Sequence, residues 1–312
     1  MTVKTASVTK KWLPKHERWV HFQHRSTMRR LVRNKAALPA GIPVTTLPVD
    51  CTGNATVSCP MLGNDHYGDC GPVMCAHVDE IRTYGQGKTG FTEMSVDQSA
   101  LIAQYEKFSG GDNGTDEAML VGPSGMWMVG LAGDPAAVVV DHLDIDFTNA
   151  PLLQYCQDQF YAVELAWSVP DDVLQNFQPG VSFLNADTPD PNNGHYSALA
   201  DVSATGNYRL WTWGSWCWAS QAFINSVEPS GFVTFSGLQF SKTTGYDSHG
   251  RHISDQAAAW VAMGGNSAIV MALVALFPPK GTPAPVPNPT PTGPTLAQVQ
   301  SAINAAIVPL FK

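Results

Sequence analysis

The sequence contains little charge, few cysteines and no apolar run near its beginning. Charged residues make up 14% of the 312 residues, and the formal net charge is −8. Hydrophobic residues make up 44%, which is typical of a globular protein with a full core and excludes a disordered chain. The opening segment MTVKTASVTKKW lacks the apolar stretch of a secretory signal. We therefore expect a cytoplasmic protein, or one that leaves the cell by lysis or inside an assembled particle.

Cysteine usage excludes a disulfide scaffold, since six cysteines are too few for a chain of this length. Cys51 and Cys59 stand in a loop-like stretch, where they either pair or remain free. The spacing of these two, followed by Cys70-x4-Cys75, matches no common zinc pattern, so the sequence predicts neither a metal nor another cofactor. Three cysteines stand in apolar contexts and are predicted to be buried thiols: Cys75, Cys156 and Cys217.

Positive charge is concentrated at the beginning of the chain. Residues 1–35 hold ten of the eighteen Lys and Arg residues and one acid, Glu17, which leaves eight basic and twenty-five acidic residues for the rest. Such an arm either docks on its own acidic body or a neighbouring subunit, or it binds nucleic acid or another anionic polymer. The charge pattern favours docking over nucleic acid.

Hydrophobic spacing predicts helices in the first half of the chain. Residues 16–35 show three- and four-residue steps of apolar side chains, which predict a helix. Residues 36–62 are rich in proline and are expected to be extended. A second helix is predicted from Cys70 to about Tyr84, and a third is predicted to be capped by Ser95.

The second half changes to a period of two, which is typical of strands. Strands are predicted at residues 137–147, 160–169, 194–203, 207–214 and 231–235, with a short helix at 152–159 and a segment compatible with a helix at 216–227. A helical front half followed by a strand-rich back half indicates an α+β fold.

Three segments follow the main domain, which is predicted to span residues 45–255 after a basic N-terminal arm or helix at 1–44. Residues 256–277 are an apolar helical segment whose unbroken part is too short to span a bilayer, so no membrane partner is expected. Residues 278–294 form a Pro-rich linker. Residues 295–312 form an amphipathic helix of a kind that packs against a partner or another copy of the chain.

The most informative stretch is residues 61–78, MLGNDHYGDCGPVMCAHV. Gly63 and Gly68 allow the chain to turn tightly before a helix that is predicted to begin at Cys70. A thiol in the first turn of a helix faces the positive end of the helix dipole, which favours the nucleophilic thiolate. The backbone N–H of Cys70 is one donor for an oxyanion, and the amide of Asn64, six residues upstream, is the second.

His195 is the predicted general base for this nucleophile. It opens a strand after the turn-forming sequence Pro-Asn-Asn-Gly, at the rim of the sheet, where its imidazole can take the proton of Cys70. The segment Leu-Trp-Thr-Trp-Gly at residues 210–214 lies on the next strand, close to the place where a side chain that orients the histidine would stand.

These segments, in this order, resemble the papain-like cysteine peptidases. The string Gly-Asn-Asp-x-x-Gly-Asp-Cys at residues 63–70, with Thr-Trp-Gly at 212–214, is similar to a bacterial and phage group of that superfamily, and the resemblance covers roughly residues 45–240. It implies a two-lobe α+β fold: a helical N-terminal lobe whose central helix is headed by Cys70, and an antiparallel β-rich C-terminal lobe. It also implies Cys70 as nucleophile, His195 as base and Asn64 as oxyanion donor.

The segment at 211–214 departs from the family's Asn-Ser-Trp-Gly pattern. Trp211 stands where the family has asparagine, and an indole cannot accept a hydrogen bond from imidazole. Thr212 is the predicted replacement, and Asp201 on the neighbouring strand is the alternative. Asn64 replaces the usual glutamine and is one methylene shorter.

Two functions are compatible with these residues. The first is a cysteine hydrolase that cleaves peptide or amide bonds through an acyl-enzyme on Cys70, with a peptide or peptidoglycan-like substrate. The second is a catalytically weak or inactive papain-like scaffold that serves as a structural or attachment protein of a phage particle or other assembly. Residues 1–35 and 295–312 would contact assembly partners, and both functions allow a homo-oligomer.

Overall fold

The computed structural model describes residues 8–13, 18–25, 28, 34–51, 59–84, 95–133 and 138–281. Its helices are α1 (Cys70–Thr83), α2 (Gln98–Ser109), α3 (Glu117–Val121), α4 (Ala150–Phe160), α5 (Asp171–Asn176), α6 (Gln221–Ser226), α7 (Ile253–Ala262) and α8 (Ser267–Val274). Its strands are β1 (Val8–Leu13), β2 (Arg18–Gln23), β3 (Val139–Asp144), β4 (Ala162–Ser168), β5 (Ser182–Phe183), β6 (Gly194–Val202), β7 (Tyr208–Thr212), β8 (Ser215–Ala219) and β9 (Ser230–Ser236).

The strands form a mostly antiparallel sheet with the order β3-β9-β4-β6-β7-β8-β5. β5 runs parallel to β8 at one edge. The β1–β2 hairpin joins the sheet away from this path, where Gln23 at the end of β2 pairs with Gly194 at the start of β6. Helices α1 to α3 precede the strand-rich part of the chain, so the predicted α+β fold is confirmed.

α1 lies at the centre of the molecule. Each of its residues is buried, because the helix packs against β4, β6 and β7 and against α2 and α3. The helix begins at Cys70 because Asp69, its N-cap, has a non-helical backbone conformation, with φ −94° and ψ 21°. The predicted helix from Cys70 to about Tyr84 is confirmed to within one residue.

A buried cluster of charges joins α1 to the sheet. The guanidinium of Arg82 donates to the backbone carbonyl of Thr234 at 2.9 Å and lies 3.4 Å from Asp79 Oδ1 and 3.9 Å from Glu164 Oε1. The indole of Trp127 donates to the other oxygen of Asp79 at 2.8 Å. Burial raises the pKa of Glu164 from 4.5 to about 7, although Arg82 acts in the opposite direction. One cation therefore faces two carboxyl groups in the core.

The helix predicted over residues 16–35 is wrong, since residues 18–23 form β2 and pair antiparallel with β1. The apolar steps that suggested a helix also fit a hairpin. Val20 and Phe22 are buried, while Trp19 is exposed and packs edge-on against Trp12 across the hairpin, with ring centroids 5.2 Å apart. Pairing with a neighbouring strand decides between two structures that the spacing alone cannot distinguish.

The described part of the basic arm docks on its own body, as the charge pattern predicts. Lys11 Nζ lies 3.2 Å from carboxylate oxygens of both Asp171 and Asp190. Further along, the segment at residues 34–36 pairs with the end of β3, where Ala36 N donates to Asp144 O at 2.8 Å. The arm is therefore held by the ion pairs of Lys11 and by the backbone pairing of residues 34–36.

Two other local predictions need correction. α2 is capped by Asp97, whose side chain accepts a hydrogen bond from Ala100 N at 2.8 Å, and not by Ser95. The segment at 216–227 is not one helix, because residues 215–219 form β8 before α6 begins at Gln221. The alternation of buried and half-buried residues in β8 is that of a strand with one face in the core.

The apolar segment at 256–277 packs against the sheet through α7 and α8. Trp260 Nε1 donates to Asp141 Oδ2 on β3 at 2.8 Å, and the backbone N–H of Asn266 donates to the same oxygen at 2.7 Å. No helix among the described residues has the length and apolar character needed to cross a membrane. The predicted amphipathic helix at 295–312 lies outside the described residues, as does the Pro-rich linker beyond residue 281.

All six cysteines are buried free thiols. Cys51 and Cys59 are therefore unpaired in this structure, and the buried state predicted for Cys75, Cys156 and Cys217 is confirmed.

Candidate active site

The structure brings Cys70 next to the strand that carries His195. Cys70 is the first residue of α1, and His195 is the second residue of β6, against which α1 packs. The sulfur of Cys70 receives a hydrogen bond from the backbone N–H of Tyr196 and lies 3.8 Å from the hydroxyl oxygen of Thr115. The thiol thus contacts the residue that follows His195 in the chain. The thiol and the imidazole are not hydrogen-bonded to each other in this conformation.

One nitrogen of His195 is held and the other is available. His195 Nε2 lies 2.5 Å from the hydroxyl oxygen of Thr212 on β7. Nδ1 is buried and has no hydrogen-bond partner among the residues that the structure describes. The alternative orienting residue, Asp201, is engaged elsewhere, because its carboxylate lies 3.0 Å from Arg209 and accepts the backbone N–H of Cys51 at 2.7 Å. Of the two candidates, Thr212 is therefore the one that contacts the imidazole.

Replacing Thr212 with valine removes this hydroxyl and keeps the side-chain shape. We expect Thr212→Val to lower the rate of Cys70-dependent hydrolysis by about tenfold or more, and to lower the free energy of unfolding by about 1–3 kcal/mol, because a buried ring nitrogen loses its partner. Thr212→Ser restores the hydroxyl and should recover most of the rate. The pH–rate profile of each variant is the measurement. If serine does not rescue the rate, or the profile of Thr212→Val is unchanged, the hydroxyl does not position His195.

Aromatic rings enclose the imidazole. Trp213 stacks on His195 with ring centroids 4.7 Å apart and an interplanar angle of 26°. Trp167, opposite His195 on β4, and Phe22 on β2 lie at 6.3 Å and 5.8 Å. Trp213 reaches this position from the two-residue turn between β7 and β8, where it and Gly214 have φ of 50° and 67°. Positive φ at both central residues is typical of a type I′ hairpin turn, and a tryptophan there is uncommon.

The amide of Asn64 is buried near the start of α1 and already has acceptors. Its Nδ2 lies 3.4 Å from both Asp69 Oδ1 and the carbonyl oxygen of Tyr67. Asp69 is itself fully buried, and burial raises the pKa of its carboxyl group well above the usual range. The predicted oxyanion donor is thus tied to the residue that precedes the nucleophile.

Burial keeps both reacting groups neutral in this conformation. Burial raises the pKa of the Cys70 thiol from 9.0 to about 12, although hydrogen bonds from Tyr196 and Thr115 lower it. This change corresponds to about 4 kcal/mol in favour of the neutral thiol. A helix dipole favours the thiolate by about 2 kcal/mol at most. The effect of burial is therefore the larger, and the thiol stays protonated. Burial also lowers the pKa of His195 from 6.5 to about 3. Both shifts favour the neutral thiol and the neutral imidazole over a thiolate–imidazolium pair.

The N-terminal hairpin closes the site. Cys70 and His195 are 3% and 1% exposed. The Phe22 ring packs edge-on against His195, and the side chain of Gln23 is bonded to the backbone of Thr115. The sequence alone does not indicate Gln23, Thr115 or Phe22, since their roles depend on contacts between distant segments. The turn at Trp213-Gly214 could have been suspected from its short spacing between strands.

A cysteine–histidine contact between Cys59 and His77 lies elsewhere in the core. His77 on α1 has Nε2 at 2.9 Å from the carbonyl oxygen of Pro60 and at 3.6 Å from Cys59 Sγ. Burial lowers the pKa of His77 to about 4. These contacts give His77 a packing role, because they hold residues 59 and 60 against α1.

Neither a protein-family model nor a curated protein sequence matches the chain. Among solved structures, the chain is similar to xylellain, a cysteine protease from Xylella fastidiosa, with 12% identity over 67% of this chain and 93% of that chain and a TM-score of 0.46. It is also similar to digestive procathepsin L 3 of the Tenebrio molitor larval midgut, with 14% identity over 64% and 76% of the two chains and a TM-score of 0.47. A structure from work on the mite allergens Blo t 1 and Der p 1 has 11% identity over 64% and 75% and a TM-score of 0.44.

Proposed function

We propose that the protein is a cysteine hydrolase that cleaves peptide or amide bonds through an acyl-enzyme on Cys70. One observation carries the proposal: the thiol at the start of α1 contacts β6 beside His195, whose Nε2 is held by Thr212 while Nδ1 remains available. A nucleophile, a base and a residue that orients the base are the parts that such a reaction requires.

The reaction follows from these positions once substrate has entered. Cys70 Sγ attacks the carbonyl carbon, and the thiol proton passes to Nδ1 of His195. The backbone N–H of Cys70 and the amide of Asn64 stabilise the oxyanion. His195 then gives the proton to the leaving amine, which departs and leaves a thioester on Cys70. In the second half, His195 takes a proton from water, the hydroxide attacks the thioester, and the carboxylic acid is released with the thiol restored.

A second candidate is an inactive scaffold in a phage particle or other assembly. The observation in its favour is the closed site, in which the thiol is buried and the pKa of Cys70 is raised to about 12. A thiol in that state does not attack a carbonyl, because the thiolate is the nucleophile. The two functions differ in whether the site opens.

A peptide-based epoxide, which alkylates activated thiols, tests the proposal. The full chain is incubated with the epoxide at pH 6 to 8, digested, and each cysteine is scored by mass spectrometry. The expected result is an adduct on Cys70 and none on Cys75, which is buried in the same helix, together with hydrolysis of a fluorogenic peptide or of peptidoglycan that Cys70→Ala abolishes. Equal modification of both cysteines, with no hydrolysis of either substrate, favours the scaffold.

A further inference from the structure

The side of α7 and α8 that faces away from the core is apolar and uncharged. Val261 and Met271 are 37% and 52% exposed. Apart from Asp255 and Ser267 in the first turns, the other exposed residues of the two helices are alanines: Ala258, Ala262 and Ala268. No residue from 256 to 279 is charged. An exposed apolar patch of this kind marks a surface that packs against another segment.

This surface lies apart from the candidate active site. α8 packs against β3, and Trp260 of α7 donates to Asp141 on the same strand at 2.8 Å. β3 stands at one end of the strand order, with β9 and β4 between it and β6, the strand that carries His195. A segment that packs on this surface therefore does not contact the reacting groups.

The described part of the chain ends beside the same surface. His252, the N-cap of α7, donates from Nε2 to the carbonyl oxygen of Pro278 at 3.0 Å. Lys280 Nζ lies 2.7 Å from a carboxylate oxygen of Asp255 in the first turn of α7. These contacts hold residues 278–280 at the start of α7. The chain beyond residue 281 therefore starts next to the apolar surface.

The Pro-rich linker is long enough to bring the chain back over both helices. Residues 282–294 include six prolines, and a Pro-rich segment of this length extends over about 40 Å at most. α7 has ten residues and is therefore about 15 Å long. The segment that follows the linker can thus reach any part of α7 and α8 within its own chain.

Residues 295–311 match this surface in polarity. They are predicted to form an amphipathic helix and contain no charged residue. A helix of this length is marginal in water on its own, so it needs a surface to pack against. The exposed alanines of α7 and α8 allow the axis of another helix to come close. The apolar side of the predicted helix consists of large residues: Leu296, Val299, Ile303, Ile307 and Leu310.

The composition of the surface disfavours other occupants. An anionic membrane or a nucleic acid attracts basic side chains, and residues 256–279 contain none. A charged protein surface would lose its hydration there without gaining a partner. An uncharged segment of the same chain meets no such cost, and the linker gives it a high effective concentration at the surface.

We propose that residues 295–311 pack on the outer side of α7 and α8 of the same chain, with Val261 and Met271 at the centre of the contact. The inference goes beyond the proposed function and does not depend on it. Packing removes two large apolar side chains from water, and it keeps the surface from pairing with a second copy of the protein.

The rate at which hydrogen peroxide oxidises each methionine of the folded full chain tests this contact, because oxidation to the sulfoxide depends on access to the thioether. Peptide mass spectrometry compares Met271 with Met263, which follows α7 and is 1% exposed. Ile303→Asp places a carboxylate on the apolar side of the predicted helix. Ser301→Asp is the matched control, because two residues along a helix place the same carboxylate on the opposite side.

In the wild type and in Ser301→Asp, we expect Met271 to be oxidised much more slowly than in the chain unfolded in guanidinium. In Ile303→Asp, Met271 should react about tenfold faster or more, the change that loss of one buried isoleucine produces, while Met263 is unchanged. Circular dichroism and thermal unfolding verify that each variant is folded. If Ile303→Asp does not fold, Val299→Asp takes its place.

Three results overturn the proposal. Oxidation of Met271 in the wild type as fast as in the unfolded chain would mean that the surface is open. Equal rates of Met271 oxidation in the wild type and in folded Ile303→Asp, or acceleration of Met271 and Met263 together, would mean that residues 295–311 do not contact Met271. Protection of Met271 that disappears when the protein is diluted would assign the contact to a second copy.

Discussion

Replacing His195 with alanine is expected to lower the rate of peptide-bond hydrolysis by about 10²–10⁴-fold, the usual contribution of a positioned general base. The expectation follows from the position of the ring, with Nε2 held by Thr212 at 2.5 Å and Nδ1 available on a strand that the Cys70 sulfur contacts. Without the imidazole, nothing at this strand takes the thiol proton. Hydrolysis of a fluorogenic peptide and the rate of Cys70 alkylation by a peptidyl epoxide both measure the effect.

His77 provides a matched control, since it is a second buried histidine on α1 with its pKa lowered by burial. His77→Gln keeps a side-chain donor for the carbonyl oxygen of Pro60 and should change the rate by less than about threefold, because packing substitutions outside a site act mainly on stability. An equal loss of activity in both variants would show that the effect comes from the core rather than from a base. Unchanged hydrolysis in His195→Ala would reject His195 as the base.

Removing the cation of the buried charge cluster is expected to have the largest effect on stability. Arg82→Met should lower the free energy of unfolding by about 3–5 kcal/mol at pH 7, because the carboxyl groups of Asp79 and Glu164 are left buried without their cation. The pKa of Glu164, already raised by burial to about 7, rises further without Arg82. Since the folded form then holds a proton that the unfolded chain releases above pH 4.5, stability falls as pH rises from about 4.5. The loss should therefore be smaller at pH 5 than at pH 7.

Chemical denaturation at both pH values measures this effect, and Lys280→Met is the control. Lys280 makes an ion pair with Asp255 at 2.7 Å, but both side chains are more than half exposed, at 57% and 52%. Exposed pairs of this kind contribute about 0–1 kcal/mol. If Arg82→Met costs no more than Lys280→Met, the cluster does not join α1 to the sheet in the way its geometry indicates. A loss that is the same at pH 5 and pH 7 would contradict the role given to Glu164.

The central helix and the strands around it could be predicted because local chemistry and tertiary packing agree there. Cys70 follows a segment that contains Gly63 and Gly68, and Val163, Leu165 and Trp167 in β4 recur at the two-residue steps typical of a strand. The N-terminal arm was predicted wrongly over residues 18–23 because its apolar spacing fits both a helix and a hairpin. The choice depends on the pairing of β2 with β1 and on the pairing of Gln23 with Gly194, 171 positions later in the sequence. Long-range pairing of this kind leaves no local signal.

Part of the candidate site could be predicted from the sequence, where a local segment indicates the residue. Thr212 could be proposed because it lies one residue from a recognisable segment and has a hydroxyl that an imidazole can use. The stacking of Trp213 depends on its positive φ in the turn between β7 and β8. Tryptophan rarely adopts such a φ, so the residue type does not predict this conformation. The sequence indicates the helix dipole at Cys70 because that effect is local, whereas burial, which raises the pKa of the thiol and lowers that of His195, depends on the whole fold.

The two attachments of the arm have a consequence for inhibitors. Because residues 34–36 pair with the end of β3 and Gln23 pairs with Gly194 on β6, the hairpin is joined covalently to a segment that is itself held on the body. A short tether gives an effective local concentration in the millimolar range. A free peptide with the sequence of β2 would have to reach that concentration before it competed with the chain's own segment. The packing of the hairpin on its own body is thus intramolecular and independent of protein concentration.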